Sequence, residues 1–451
     1  MTKVLIANRG EIAVRIIRAC HDLGYRTVAV YSDVEQEALH VLHADEAVCI
    51  GKGAAHSSYL KIAHILSACE ITGADAIHPG YGFLSENANF ASVCLSCGLN
   101  FIGPKPETMH LLADKARAKE VAQRAGCPTI PGTGVIEDPQ EAFRQAKKLG
   151  FPVVIKASAG GGGKGIRLVD KEEDFIKNFL SARAEAEANF GNPDVFVEKR
   201  ILNPRHIEVQ ILADTFQNCI HLGERDCTIQ RRRQKLIEEA PSPVLDPKTR
   251  ERIAQSALAI AREANYSSAG TVEFLLDKKG NFYFMEVNTR IQVEHTVTEE
   301  VTGIDLVKEQ IELALGKKLG YKQEDVTFSG HAVQFRINAE DPHAHFAPSP
   351  GKVEYYVPPG GPHVRVDSAC YSGCTISPIY DSMMAKLIVK GKTREEALAA
   401  SKRALREFHV GGVKTTIPFH SYIIHHKDFE DGEYDISYID TLLDKGHTFT
   451  K

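Results

Sequence analysis

The chain is predicted to be an α/β and α+β multidomain protein, with a doubly wound N-terminal domain, an α+β central domain and a mainly β C-terminal domain. Three observations predict this. Its 451 residues exceed what one small core requires and suggest roughly three domains. Residues 4–78 alternate strand-like and helix-like apolar patterns, the mark of a mostly parallel sheet. From Gly330 onward the pattern turns to apolar alternation broken by Pro350-Gly351 and Pro359-Gly360-Gly361.

In chain order, a strand over 4–7, a turn at Asn8-Arg9-Gly10, a helix over 12–23, Gly24 and a strand over 27–31 make a βαβ unit. A strand near 47–50, a helix around 59–69 and a short strand ending at His78 continue it. The first turn carries a single glycine where a dinucleotide-binding fold would show Gly-x-Gly-x-x-Gly, which removes a dehydrogenase reading. A helix over 108–125 runs into Gly126, Pro128, Pro131 and Gly132, the breakers of a linker. Strands over 152–157, 166–169, 195–201 and 206–213 follow, and one late helix covers 393–408. The boundaries drawn are 1–112, 113–329 and 330–451.

Composition narrows the function. With 43% hydrophobic and 25% charged residues the chain should fold. A net charge of -5 supplies no basic surplus for nucleic acid, and no apolar run reaches the roughly 18 residues of a membrane helix. With no charged-then-apolar leader before Val4, a cytoplasmic location is expected. The ten cysteines are scattered, so reduced thiols are expected. Cys94-x-x-Cys97 and Cys370-x3-Cys374 lack partner motifs and point to no metal or redox role.

Three segments carry chemistry. Gly160, Gly161, Gly162, Gly163, Lys164 and Gly165 form a loop whose amides approach an anion unhindered by Cβ atoms. Lys164 is followed by glycine and then by a strand pattern, so this is no P-loop. The second segment is a hairpin, 270–277 and 281–288 around Lys278-Lys279-Gly280. A tight turn centred on Lys279-Gly280 sets Glu273 opposite Glu286, with Asn288 on the same face. Facing carboxylates repel unless a cation neutralises them, and an all-oxygen set suits Mg²⁺ or Mn²⁺. Arg290 and Glu294 follow at once, a pair suited to anion capture and proton removal. The third segment, 224–235, gathers Arg225, Arg231, Arg232, Arg233 and Lys235 and reads as a polyanion site.

Together these motifs resemble biotin carboxylase, the ATP-grasp enzyme that carboxylates biotin on its carrier. The resemblance runs from Ala7-Asn8-Arg9-Gly10-Glu11-Ile12-Ala13 through residues 78–87 and Glu286-x-Asn288-Thr289-Arg290-Ile291-Gln292-Val293-Glu294-His295 to Arg336-Ile337-Asn338-Ala339-Glu340-Asp341-Pro342. It implies an ATP-grasp central domain. It also implies ATP contacts at Lys115, Lys156, Glu198, Lys199, Ile201, His206 and Gln230, a mobile lid at Gly160 to Gly165, and two metal ions at Glu273, Glu286 and Asn288. Lys235, Arg290, Gln292, Val293 and Glu294 match the bicarbonate site, with Glu294 as general base. Arg336 matches the residue that supports the biotin enolate, and Tyr81 and Gly82 lie near the biotin entrance. Arg233 stands where bacterial relatives commonly carry an ATP-contacting histidine. No Ala-Met-Lys-Met biotinylation motif is present, so the resemblance implies a separate biotin carboxyl carrier protein, carboxyltransferase subunits, and acetyl-CoA as the expected final acceptor ahead of pyruvate or propionyl-CoA. Arg18, Asp22 and Arg365 match dimer contacts and imply a homodimer. Another ATP-grasp ligase would share the nucleotide and metal positions without needing Arg290 to Glu294 or Arg336.

Overall fold

The computed structural model describes residues 2–158 and 165–449. Gly160, Gly161, Gly162, Gly163 and Lys164 therefore lie outside the described residues, and the expected lid with them. Among the described residues no helix is long and apolar enough to cross a membrane.

The N-terminal sheet is parallel throughout, in the order Glu46–Cys49, Arg26–Tyr31, Lys3–Ile6, Ala76–His78, Asn100–Phe101. Helix Gly10–Asp22 crosses from its central strand and buries Ile12, Ala13, Ile16, Ile17 and Cys20. The strand order reverses direction between Lys3–Ile6 and Ala76–His78, the place where open α/β sheets offer a crevice. The two loops leaving these strands are tied together there, since the Asn8 side-chain amide donates to the carbonyls of Pro79 and Tyr81, each at 2.7 Å.

The stretch expected as one helix over 108–125 is two, Pro106–Ala113 and Lys115–Arg124. Asp114 divides them: its extended backbone ends the first, and its carboxylate accepts from the Arg117 amide to cap the second. This break sets Lys115 on a helix's first turn. The expected linker is also partly strand, because Gly132–Val135 pairs with Val195–Lys199.

That pair belongs to a four-stranded antiparallel sheet ordered Gly132–Val135, Val195–Lys199, Val153–Ala157, Ile166–Val169. Alternation divides its faces. Val153, Ile155, Val195 and Val197 meet Phe175 and Phe179 of helix Phe175–Phe190 in a core, while Val154, Lys156, Phe196 and Glu198 face an open cavity. The other wall is an eight-stranded antiparallel sheet. Its order is Phe282–Asn288, Ser268–Leu276, Arg205–Ala213, Cys219–Arg231, Gln234–Ala240, His331–Asn338, Met383–Gly391, Val364–Ser368. The sheet continues across residue 330 because Ile237 pairs with Phe335 and Glu239 with Val333. The late helix is Arg394–Glu407, capped by Thr393; three further short helices follow it, Ile417–Ile423, Lys427–Glu430 and Tyr438–Asp444, where the sequence suggested none.

Four imidazoles, on His40, His78, His295 and His420, are fully buried. Burial pushes all four below the usual range, His40 and His420 to about 4 and His78 to about 3. At His40 burial outweighs the Glu35 carboxylate and the Val30 backbone, both of which favour the charged ring. Because the native state binds fewer protons than the unfolded chain below about pH 6.5, stability present at neutral pH is lost as pH falls toward 4. His40→Phe should remove about 2 kcal/mol of the loss between pH 7 and pH 5, read as the difference between the urea midpoints of the two proteins. Parallel pH curves for the variant and the parent would refute it.

Candidate active site

The acidic hairpin supplies the first part. Glu273 and Glu286 are register partners, as expected, yet the turn is not the tight one. Leu276 pairs with Phe282 across a five-residue connection, Phe274 pairs with Phe284, and Met285 is an extra residue, a bulge that restores the Glu273 to Glu286 pairing. The bulge leaves Glu286 a third exposed toward the cavity while Glu273 is buried. Asn288 lies beside them, its amide donating to Glu273 Oε1 at 2.9 Å.

Lys235 is the hub. Strands Cys219–Arg231 and Gln234–Ala240 are joined by Arg232 and Arg233, both at positive φ (47° and 68°), where an Asn-Gly turn would be relaxed. Arginine at these positions costs roughly 1–3 kcal/mol of backbone strain each, and both side chains line the cavity. Two residues on, Lys235 Nζ reaches three carboxylates, Glu208 at 2.5 Å, Glu294 at 2.6 Å and Glu273 at 3.0 Å. Burial alone would lower its pKa, but these three anions raise it well above the ordinary lysine range, so the ammonium keeps its charge.

Glu294 precedes helix His295–Thr302 and is 2% exposed. One carboxylate oxygen takes Lys235; the other takes Arg336 Nη2 at 2.9 Å. Burial pushes its carboxyl up, yet Lys235 and Arg336 outweigh that and hold it well below the usual carboxylate range. Arg336 is fixed from behind by Glu238, 2.5 Å from its Nε. Arg290 completes the anion-facing group, 3.1 Å from Glu86 and 3.3 Å from Asn288 Oδ1. Gln292 donates to Glu273 at 2.8 Å, and the Val293 carbonyl accepts from the fully buried Lys386 at 3.2 Å.

At the other end of the same cavity, Glu198 Oε1 and Oε2 are each 2.7 Å from a lysine, Lys119 and Lys156. Gly132 permits this, since a Cβ there would fall 2.8 Å from Glu198 Cγ and 2.6 Å from the Val197 carbonyl. Lys199 and Ile201 line the cavity, but the Lys199 ammonium turns away to the carbonyls of Gly150 and Phe151. Lys115 Nζ lies 3.6 Å from Glu286, and His206 Nε2 lies 2.9 Å from Glu273 with Gln230 3.4 Å from its other ring nitrogen. His206 thus joins the residues expected on ATP to those expected on the metal. The whole cavity measures about 1190 Å³.

Several residues were not singled out from sequence. Glu208, Glu238 and Lys119 support Lys235, Arg336 and Glu198. Period-two spacing from His206 marks Glu208, which shares its face; Glu238 offered only the weaker signal of an acid inside an apolar strand. The basic segment 224–235 requires a correction, because it is not one polyanion surface. Arg225 is fully buried behind the site against Glu208, and Arg231 packs 4.7 Å from the Phe346 ring; Arg232, Arg233 and Lys235 line the cavity. Strand alternation turns Arg231 away from Gln230 and the cavity, whereas Arg225 shares the face of its register partner Glu208 and is separated from the cavity by depth. Tyr81 and Gly82 do not line the cavity: the Tyr81 hydroxyl donates to Glu11 and lies 4.0 Å from Met383, which does. Of the expected dimer residues, Arg18 is exposed, Asp22 pairs with Lys308 at 2.8 Å, and Arg365 is 2.8 Å from both Glu299 and Asp367.

The residues fit a hard divalent cation. Glu273 and Glu286 face each other across one ladder, with Lys235 and Lys115 beside them against their repulsion, and Asn288 adds a third hard oxygen, Oδ1, which accepts from Arg290.

Comparison with known proteins gives matches along nearly the whole chain. Residues 1–109 match the family model described as biotin carboxylase, N-terminal domain; residues 334–441 match the biotin carboxylase C-terminal domain. Residues 114–322 match the carbamoyl-phosphate synthase L chain ATP-binding domain. The chain is 54% identical to biotin carboxylase 1 of Bacillus subtilis, over 97% of this chain and 98% of that one. A crystal structure of Campylobacter jejuni biotin carboxylase in complex with β,γ-ATP superposes with a TM-score of 0.95 at 48% identity, covering 98% of each chain. The biotin carboxylase domain dimer of Hydrogenobacter thermophilus 2-oxoglutarate carboxylase, in complex with MgADP, ADP and bicarbonate, also superposes at 0.95, with 51% identity over 100% of this chain and 99% of that one.

Proposed function

Because the chain belongs to the biotin carboxylase family, we propose that it uses ATP and bicarbonate to carboxylate biotin carried on a separate biotin carboxyl carrier protein. The observation that carries the reading is one cavity holding the Lys235–Glu294–Arg336 cluster at one end and the Lys156–Glu198–Lys119 cluster at the other, with Glu273 and Glu286 along its wall.

Bicarbonate is a poor electrophile and the ureido nitrogen of biotin a poor nucleophile, so both must be activated in one closed place. Lys235, Arg290 and Gln292 bind bicarbonate, and its arrival draws Lys235 and Arg336 off Glu294. Losing those cations returns basicity to a carboxylate whose pKa they had depressed, and Glu294 then removes the bicarbonate proton. The bicarbonate oxygen attacks the γ-phosphate, ADP departs, and carboxyphosphate forms. Lys156, Lys115 and Arg233 meet the phosphates, with Glu198 to Ile201 at the adenine. Glu273, Glu286 and Asn288 would hold Mg²⁺ or Mn²⁺, whose charge offsets that of the triphosphate. Decarboxylation leaves CO₂ beside phosphate; phosphate takes the ureido proton, Arg336 supports the enolate, and the nitrogen attacks CO₂. The chemistry at this site ends at carboxybiotin. The onward acceptor is therefore set by the carboxyltransferase subunits that receive it, acetyl-CoA being the expectation. The assembly proposed is a homodimer in the cytoplasm.

The test is ADP release by the purified chain with Mg²⁺. Release should depend on bicarbonate and rise severalfold with free biotin. ADP release indifferent to bicarbonate would overturn the proposal.

A further inference from the structure

We propose that Cys370 and Cys374 form a reversible dithiol–disulfide site that hydroperoxides oxidise. The pair lies outside the catalytic cavity, at the root of the segment whose Asp381 and Met383 line it. Their Sγ atoms are 3.2 Å apart. A disulfide needs about 2.05 Å, so roughly 1 Å of closure forms the bond.

The backbone holds the sulfurs at this separation from both sides. The Cys370 amide donates to Ser368 Oγ at 2.9 Å, and the Cys374 amide to the Tyr371 carbonyl at 3.1 Å. Val353 anchors the turn twice, donating to the Cys374 carbonyl at 2.8 Å and accepting from the Gly373 amide at 2.7 Å.

The two thiols are unequal, as a peroxide-reactive pair requires. Cys370 is buried beside Ala339, Val353 and Met384. Cys374 is partly exposed, between exposed Gly373 and Thr375. Its sulfur accepts from the Tyr371 amide at 3.5 Å and shares a thiol hydrogen bond with Cys370, in which either sulfur can be the donor. The contact with Cys370 and the Tyr371 amide lower the Cys374 thiol below the ordinary range, which favours its thiolate. By contrast Cys94 and Cys97, which share the closer sequence spacing, show no such contact.

The steps balance. The Cys374 thiolate attacks the terminal oxygen of a hydroperoxide; the S–O bond forms, the O–O bond breaks, and an alcohol, or water from hydrogen peroxide, leaves with one proton. Cys370 sulfur then attacks Cys374 sulfur, the S–S bond forms, and the sulfenic oxygen departs as water with the Cys370 proton. Two thiols lose two electrons to one peroxide, and an external dithiol reverses the change.

The test uses the full chain and hydrogen peroxide, followed by alkylation and trypsin. Residues 366–386 form one tryptic peptide that carries both cysteines. It should become lighter by about 2 Da and resist alkylation, at least about ten-fold faster than exposed Cys49 or Cys97 reacts, and dithiothreitol should restore both thiols. Cys370→Ser should leave Cys374 as a sulfenic acid that dimedone traps; Cys374→Ser should leave Cys370 reduced. Two free thiols on that peptide after Cys49 and Cys97 have reacted would overturn the proposal, as would Cys374 passing to sulfinic acid with no disulfide in the unsubstituted chain.

Discussion

Glu294→Gln is expected to lower turnover roughly 10²- to 10⁴-fold while the protein stays folded. Gln keeps the size and the hydrogen-bonding reach of the side chain but has no basic oxygen. The two bonds at stake, to Lys235 at 2.6 Å and Arg336 at 2.9 Å, are charge-assisted, and only one of them survives as an acceptor bond to an amide oxygen. Losing the other costs little stability, because Lys235 still has Glu208 and Glu273, and Arg336 still has Glu238. ATP affinity should change little, since Lys156 and Glu198 come from the four-stranded sheet and pair with each other and Lys119, not with Glu294. If Glu294 served only to anchor Lys235 and Arg336, the variant would raise the bicarbonate KM and recover its kcat at saturation. Recovery of kcat would remove Glu294 from the role of base.

Arg225→Met is expected to destabilise the fold by about 3–5 kcal/mol, the cost of removing one member of a buried ion pair. Arg225 has no exposed surface, and its guanidinium donates to Glu208 at 2.5 Å, Gln210 at 2.7 Å, Thr298 at 2.9 Å and Thr271 at 3.1 Å. Burial already holds the Glu208 carboxyl above the usual range even with Lys235 and Arg225 beside it. Without Arg225, Glu208 leans on Lys235 alone and competes with Glu294 and bicarbonate for it, so the bicarbonate KM should rise as well. Glu208→Gln in the same chain removes the stranded charge and should recover a large part of the lost stability. A urea midpoint for Arg225→Met within about 1 kcal/mol of the parent, at an unchanged m-value, would show that the buried pair matters little.

Legibility in the sequence followed the range of the interactions. The Glu273 to Glu286 pairing could be read because a hairpin brings near neighbours together at a period of two, although the bulge at Met285 could not. The division of helix 108–125 at Asp114 was visible in principle, since an aspartate three residues before Arg117 is a capping signal, but an unbroken helical pattern masked it. Arg225 was misread because composition records that charges are close along the chain, not how deep each side chain sits: it shares a face with Glu208, its register partner, but lies beneath Thr271, Gln292 and Thr298. The Cys370 and Cys374 pair was passed over for a related reason: spacing of four describes many turns, and only the anchoring by Val353 and Ser368 brings the sulfurs to 3.2 Å.

By itself the sequence determined the alternation that builds a parallel N-terminal sheet, the acidic hairpin and the family to which the chain belongs. Each depends on periodicity or on residue strings, which are local properties. Only the tertiary structure decided that Lys235 serves three carboxylates, that Arg336 and Glu294 meet across 42 positions of chain, and that Glu208, Glu238 and Arg225 stand behind them. A buried charge is tolerable only when opposite charges enclose it, and the partners that do so come from strands far apart in sequence but adjacent in one eight-stranded sheet.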